Sequence, residues 1–525
     1  MTSRAFHSLK SMVLILVLIG LVGCQSTIAP STTGKGTATP EPLPTATPIP
    51  VVFAYPGEDW GYPSPFARYS RGPGYVRMSF LFDTLTWKDE QGVIPWLAES
   101  WEMSEDGKTW TFKLRSDVRW HDGQLFTAGD VAFTFAYIRE NEAEIVWSGE
   151  ITKVQDVQAL DEHTVCFSLS DPVAGPHFNL FGSVPIIPKH VWEGIEDPVK
   201  YLAPEAVIGT GPFTLDTYSK EEGLYIYKKN PDFWGGKAKV DTLVFPKVQD
   251  TAVALQAGEI DMASFWGNEI AVVEQFESDP NYAILPGPSF WVLQIIFNLD
   301  RPPFDRVAVR QAVAYAVDRQ RIVDQVIHGG AVVANLGIIS PSTAWVNPNL
   351  PEYAHDPDKA RQMLQQAGLE NQAVTIIQSG WDREAELIQA DLEAIGLQVT
   401  VKSGDRTTVD GLLKEGNFDL AINGHGGIAN PSTLRNPTWP AATYHNEAYN
   451  DLFVAQSVEM DDEKRREQIW ALQGILAEEL PVLPLYHPLM WVVYKADPAV
   501  IPFYTSEGIA GGIPIELNKL IFLER

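Results

Sequence analysis

Between residues 97 and 135 the order of apolar and polar residues changes period. Thr109-Trp110-Thr111-Phe112-Lys113-Leu114-Arg115 alternates polar and apolar, which predicts a half-buried strand. Asp106-Gly107 just before it is a two-residue turn signal, and Asp122-Gly123 is a second. Thr127 then stands three residues before Asp130 and opens the apolar run Val131 to Tyr137, the pattern of a capped helix N-terminus. Thr164-Val165-Cys166-Phe167-Ser168-Leu169 alternates again and predicts a strand, with Cys166 as a small packed side chain.

From Val51 onward short apolar strands alternate with amphipathic helices, an α/β pattern. Residues 251–258 predict a short helix with Gly258 as its C-terminal cap. Residues 307–327 predict one long helix, with Val309, Ala312, Val313, Ala316 and Val317 on a single face. Residues 356–368 and 384–396 predict further helices, and 398–401 a strand. Residues 418–422 predict a strand that gives way to a polar, glycine-rich loop from Asn423 to Ile428. A helix over 463–480 precedes an apolar strand over 481–487.

The first 50 residues follow none of these periods. Arg4 and Lys10 precede an apolar stretch from Ser11 to Val22, shorter than the ~20 residues that span a bilayer comfortably. It ends in Leu21-Val22-Gly23-Cys24, which looks like a bacterial lipobox: residues 1–23 are expected to be a signal peptide, and Cys24 the lipidated residue. Residues 24–50, including TATPEPLPTATPIP, carry proline and threonine without period and are expected to be an extended tether. A lipid anchor and a tether would hold a globular body at the extracytoplasmic face of the membrane. No later segment is apolar enough to span a bilayer, so the body needs a separate pore.

The chain has 525 residues and is 45% apolar, and single cores stop growing at roughly 250–300 residues, so two or more lobes are expected. Its 16 Trp, 17 Tyr and 24 Phe suit both a large core and a wide cleft with flat apolar walls. A formal charge of −28 argues against a nucleic-acid partner, because phosphate recognition needs Lys and Arg patches. The two cysteines cannot pair if Cys24 is acylated.

Catalytic and cofactor spacings are absent. There is no HExxH, no GxSxG and no P-loop. Gly424-His425-Gly426-Gly427-Ile428-Ala429 nearly matches a dinucleotide fingerprint, but Asn430-Pro431 interrupts the helix that motif requires. The 10 His are dispersed, and no metal site is expected. The 67 acidic residues offer many carboxylate pairs, but none is singled out, which leaves an extracellular hydrolase as the lesser reading.

Residues 97–135 resemble the signature of the family 5 extracellular solute-binding proteins, the peptide- and nickel-binding receptors of ABC importers. Similar blocks follow in the family's order: Gly209-Thr210-Gly211-Pro212, Asn230 to Gly236, Gly258-Glu259-Ile260-Asp261, Phe297 to Phe304 with the helix after it, and Pro481 to Tyr486. The resemblance implies a type II periplasmic-binding-protein fold: two α/β lobes joined by a hinge, with a subdomain inserted in the first. The implied first lobe is 51–72, 191–290 and 491–525, the insertion 73–190, and the second lobe 291–490. It further implies a monomeric receptor without cofactor. Two lobes close on a solute by a hinge motion and present it to an ABC permease.

The ligand is then expected at loops that follow strands. The resemblance points to Tyr69 and Arg71, to Phe265 and Trp266, to Trp291, and to Gly424, His425 and Gly426. Trp381, Trp439, Tyr486 and His487 are further candidates. Peptide-binding relatives place an Asp in the second-lobe loop, against the peptide's terminal ammonium. Here the loop has no acid, and Ile428 stands near that position. Oligopeptide is the family's default solute; an oligosaccharide or another neutral solute would also suit aromatic walls with Asn, Gly and His.

Overall fold

The computed structural model describes residues 50–69, 72–141, 149–175, 180–426, 431–496, 498–505, 508–509 and 514–524. The expected signal peptide, Cys24, Arg71 and the loop from Gly427 to Asn430 lie outside them.

Two bodies make up the α/β fold. The first contains a four-stranded sheet in the order β1 (Val52–Ala54), β10 (Thr242–Phe245), β9 (Leu224–Lys229) and β8 (Phe213–Ser219). A second four-stranded sheet runs β4 (Ala98–Met103), β5 (Thr109–Leu114), β7 (Thr164–Leu169) and β6 (Val154–Asp161). A hairpin of β2 (Thr86–Lys88) and β3 (Val93–Pro95) lies between these segments in sequence. One aromatic-rich core joins these parts, with Phe80, Trp87, Phe112, Trp192, Tyr227 and Phe522 all buried in it. A three-stranded sheet, β11 (Met262–Trp266), β19 (Met490–Lys495) and β12 (Tyr282–Gly287), has its own small core around Leu255, Phe265 and Phe276.

The second body is built on a six-stranded mixed sheet. Its order is β14 (Ala331–Val333), β18 (Val482–Pro488), β13 (Trp291–Phe297), β17 (Leu420–Gly426), β15 (Ala373–Gln378) and β16 (Gln398–Ser403). Strand alternation sends Leu293, Ile295 and Phe297 into one core and Val292 and Ile296 into another on the opposite face. Helices cover both faces, so the central strands are apolar throughout. The chain crosses between the bodies twice. Residues 288–290 link β12 to β13, and Leu489 alone links β18 to β19.

The local chemistry anticipated at residues 97–135 is present. Asp106-Gly107 turns β4 into β5, with Gly107 at φ 69° and the Lys108 amide donating to Asp106 at 3.0 Å. Thr127 caps the helix Ala128–Glu140, and its amide donates to Asp130 Oδ2 at 2.9 Å. The helix Thr251–Ala257 ends at Gly258, which takes the left-handed conformation.

Three elements depart from the sequence reading. The long helix expected over 307–327 is two, Val307–Ala316 and Arg319–Val326. Val317 turns to extended backbone, and Asp318 caps the second helix by accepting from the Arg321 amide at 2.9 Å. The loop expected from Asn423 is strand as far as Gly426, paired residue for residue with β13. Cys166 is half-buried and free rather than packed in the core, because its strand turns Val165 and Phe167 inward instead.

Candidate functional site

Trp266 ends β11 and Trp291 opens β13, so the two tryptophans stand where the sheets meet. Two cavities share both rings. The larger encloses about 1060 Å³, the smaller about 830 Å³.

The larger cavity draws Tyr55, Trp60, Arg77, Ser264 and Glu516 from the first body and His425, Arg435, Asn436 and Trp439 from the second. A part-buried polar cluster lines it. Tyr55 donates to Glu516 Oε1 at 2.6 Å and lies 2.9 Å from the Ser264 hydroxyl, which also donates to Glu516. Burial, and then the Glu516 charge, push the Tyr55 phenol well above its ordinary range. Arg77 is buried, with its guanidinium 3.7 Å from the centre of the Phe245 ring; it donates to the Pro56 carbonyl at 3.3 Å, while its Nε has no partner. Opposite, the His425 ring lies 3.2 Å from the Thr433 carbonyl and 6.0 Å, centre to centre, from Trp439. Burial holds the imidazole below its usual pKa, so it is neutral near pH 7.

The smaller cavity is lined by Trp266, Trp291, Trp381 and Tyr486, and by the buried Glu384. The helix Asp382–Ala394 brings Glu384 to the wall, and the Tyr486 hydroxyl donates to its Oε1 at 2.8 Å. Burial raises the Glu384 carboxyl above its ordinary range. Among the described residues no group of three or more His, Cys, Asp or Glu converges as metal ligands would.

A cleft of this size, between two α/β bodies joined by two short crossings, is the architecture of a solute receptor. Residues 92–446 match the family profile described as bacterial extracellular solute-binding proteins, family 5 middle. The chain belongs to that family. Its fold is the type II periplasmic-binding-protein fold expected from the sequence blocks. It is 27% identical to the nickel-binding periplasmic protein of Escherichia coli over 488 residues, 84% of this chain and 89% of that one. It is 30% identical to the di/tripeptide-binding protein 3 of Pseudomonas aeruginosa over 491 residues, 84% of this chain and 90% of the relative. The structure of the periplasmic binding protein DppA from Helicobacter pylori in complex with the peptide STSA superposes with a TM-score of 0.72 at 25% identity, covering 89% of this chain and 98% of that one.

Within this family 5 chain the cleft gathers eight of the residues singled out from sequence. Trp266 and Trp291 line both cavities; His425, Gly426 and Trp439 line the larger, and Trp381, Gly424 and Tyr486 the smaller. Three others fall elsewhere. Phe265 precedes Trp266 on the same strand, so alternation turns it into the core against Phe276. His487 follows Tyr486 and is likewise turned away; it is fully buried, and its Nδ1 donates to the Trp291 carbonyl at 2.8 Å. Tyr69 lies outside both cavities, exposed, and donates to Asp59 at 3.0 Å. Tyr55, Arg77, Glu384 and Glu516 were not anticipated. No local pattern marks any of them; Glu384, for one, stands among the charged residues Asp382, Arg383 and Glu386 of its helix.

Proposed function

We propose that this chain is the lipid-anchored, extracytoplasmic substrate-binding protein of an ABC importer. It captures an oligopeptide-class solute between its lobes and delivers it to a membrane permease, leaving the solute unmodified. The observation that carries this reading is the pair of cavities sharing Trp266 and Trp291, whose combined extent suits a ligand of several linked units. Peptide as the solute class follows the relatives named for di- and tripeptides.

The proposed contacts are Trp266, Trp291, Trp381, Gly424, His425, Gly426, Trp439 and Tyr486, joined by Tyr55, Arg77 and Glu516. The proposed first lobe is 51–72, 191–290 and 491–525, with 73–190 inserted, and the second is 291–490. The links at 288–290 and Leu489 would act as the hinge. Cys24 is the proposed lipid attachment, and the receptor is proposed to work as a monomer.

A second reading, an oligosaccharide or another neutral solute, draws on the tryptophans of the cleft, whose flat faces stack on sugar rings as well as on peptide side chains. Native mass spectrometry of the protein purified from its own envelope tests the two. A co-purified peptide is the expected outcome; a co-purified oligosaccharide would replace it. Titration with the recovered solute should change tryptophan fluorescence saturably and return the solute intact, whereas turnover would overturn the receptor role. Cys24→Ser should move the protein from the membrane fraction to the soluble one.

A further inference from the structure

We propose that the smaller cavity is a subsite for a cationic group of the solute, an ammonium or guanidinium, taken by the Glu384 carboxylate between aromatic walls. This rests on the receptor reading above and narrows its ligand.

Glu384 is 4% exposed yet forms part of the cavity wall. Its carboxylate accepts from the Tyr486 hydroxyl at Oε1 and from its own backbone amide, and among the described residues it joins no ion pair. The charge that bears on it is Asp382, of like sign. A buried carboxylate without a counter-ion is costly, and the ordinary remedies are protonation or a cation brought to it. The surroundings fit a cation. Trp266, Trp291 and Trp381 line the cavity with partly exposed rings, and the negative face of such rings attracts ammonium and guanidinium groups.

The other charged groups of the cavity leave this role open. Asp382 accepts from Gln378 at 2.5 Å and Ser403 at 3.0 Å, and Glu269 accepts from the Trp266 amide at 2.9 Å. Arg383 and Arg406 also line the cavity, but each is paired with an acid on its own helix, Glu386 at 2.5 Å and Asp410 at 3.2 Å. A net charge of −28 on the whole chain favours approach of cationic solutes.

The experiment measures binding of four probes to the full protein by calorimetry: Ala-Lys-Ala-Ala, the same peptide with all amines acetylated, tetraglucosamine, and its N-acetyl form. At least one amine probe should bind about tenfold or more tighter than its acetylated partner, the size expected for a charge-assisted hydrogen bond. Glu384→Gln keeps side-chain length and an oxygen for Tyr486; it should abolish the preference without lowering the melting temperature. Equal binding of amine and acetylated probes, failure of both amines to bind, or a preference that survives Glu384→Gln would each overturn the subsite. The comparison in the unmodified protein holds even if the variant does not fold. Peptides and sugars that all bind alike with and without free amines would sink the subsite and spare the receptor reading. A Glu384-dependent preference shown by tetraglucosamine alone would keep the subsite and overturn the oligopeptide assignment.

Discussion

Neighbouring residues on one strand meet opposite fates in this cleft. Trp266 and, though itself nearly buried, Tyr486 line the smaller cavity, while Phe265 and His487, one position away, line neither cavity. Sequence could mark the segment but not the parity, because a one-residue shift of register exchanges the two faces. His487 shows the energetic consequence. Burial pushes its imidazole down to about 4 from an ordinary 6.5, and its Nε2 has no partner. The unfolded chain therefore binds one more proton at this site between those values. The stability from His487 is complete above about pH 6.5 and is lost at ~1.4 kcal/mol per pH unit as pH falls toward 4. His425 shifts in the same direction; Glu384 and Asp391, raised by burial, act oppositely in the carboxylate range. His487→Asn should flatten the fall in stability from pH 6.5 to 4, measured by urea unfolding at several pH values. A slope unchanged from the parent protein would show that His487 is not the group responsible. Trp291 belongs to both cavities, so Trp291→Ala should weaken ligand binding by about 2 kcal/mol or more, the size of a buried aromatic anchor. Calorimetry with the co-purified solute measures it.

At the scale of elements, what was legible depended on whether the signal was local. The turn at Asp106-Gly107, the Thr127–Asp130 cap and the Gly258 stop are carried by two to four adjacent residues, and each forms as its chemistry requires. The break at Val317 was hidden because Val309, Ala312, Val313 and Ala316 and then Ile322 and Val323 all feed one core, so the apolar periodicity continues across the interruption. Only the Asp318 cap, a weaker cue, marks it. Asn423 to Gly426 read as loop for a different reason. These residues have poor strand propensity, but pairing with β13 along its whole length outweighs it. Gly426 sits at φ 98°, and a Cβ there would lie 2.4 Å from the Phe290 carbonyl, so this strand end needs glycine. The capping box offers a direct measurement. Asp130 accepts from the Thr127 amide and, through Oδ1, from the Lys189 amide at 2.9 Å, tying two helices together. Asp130→Ala should cost about 1–2 kcal/mol in denaturant unfolding. A cost below a few tenths would mean that water replaces both bonds.

At the scale of the molecule, contacts distant in sequence hold what local patterns could not announce. Lys519, near the C-terminus, pairs with Asp83 where both are fully buried, and it lies 4.1 Å over the Trp87 ring. Asp83 also accepts from Trp96 at 2.7 Å, Thr210 at 2.8 Å and Trp234 at 3.4 Å, so one carboxylate collects partners from four segments. No spacing in the chain foretells such a node. The proposed hinge has a similar hidden constraint. Gly267, just after Trp266, and Gly330, just before β14, approach backbone to backbone across the two bodies. A Cβ on Gly267 would stand 2.1 Å from the Gly330 carbonyl oxygen, and one on Gly330 would stand 2.0 Å from that of Gly267. The obstacle on each side is main chain, which cannot rotate aside as a side chain could. Gly330 also accepts from the Leu489 amide at 2.9 Å, which fastens this contact to the single-residue link between β18 and β19. A methyl group here must therefore push the bodies apart beside the link about which they are proposed to turn. Gly330→Ala should cost about 1–3 kcal/mol of stability, as overpacking does, and should weaken solute binding by displacing Trp266 from Trp291. Small-angle scattering should register a larger radius of gyration that saturating solute no longer reduces to the parent value. A variant that is destabilised yet still closes to the parent radius would place the pivot elsewhere.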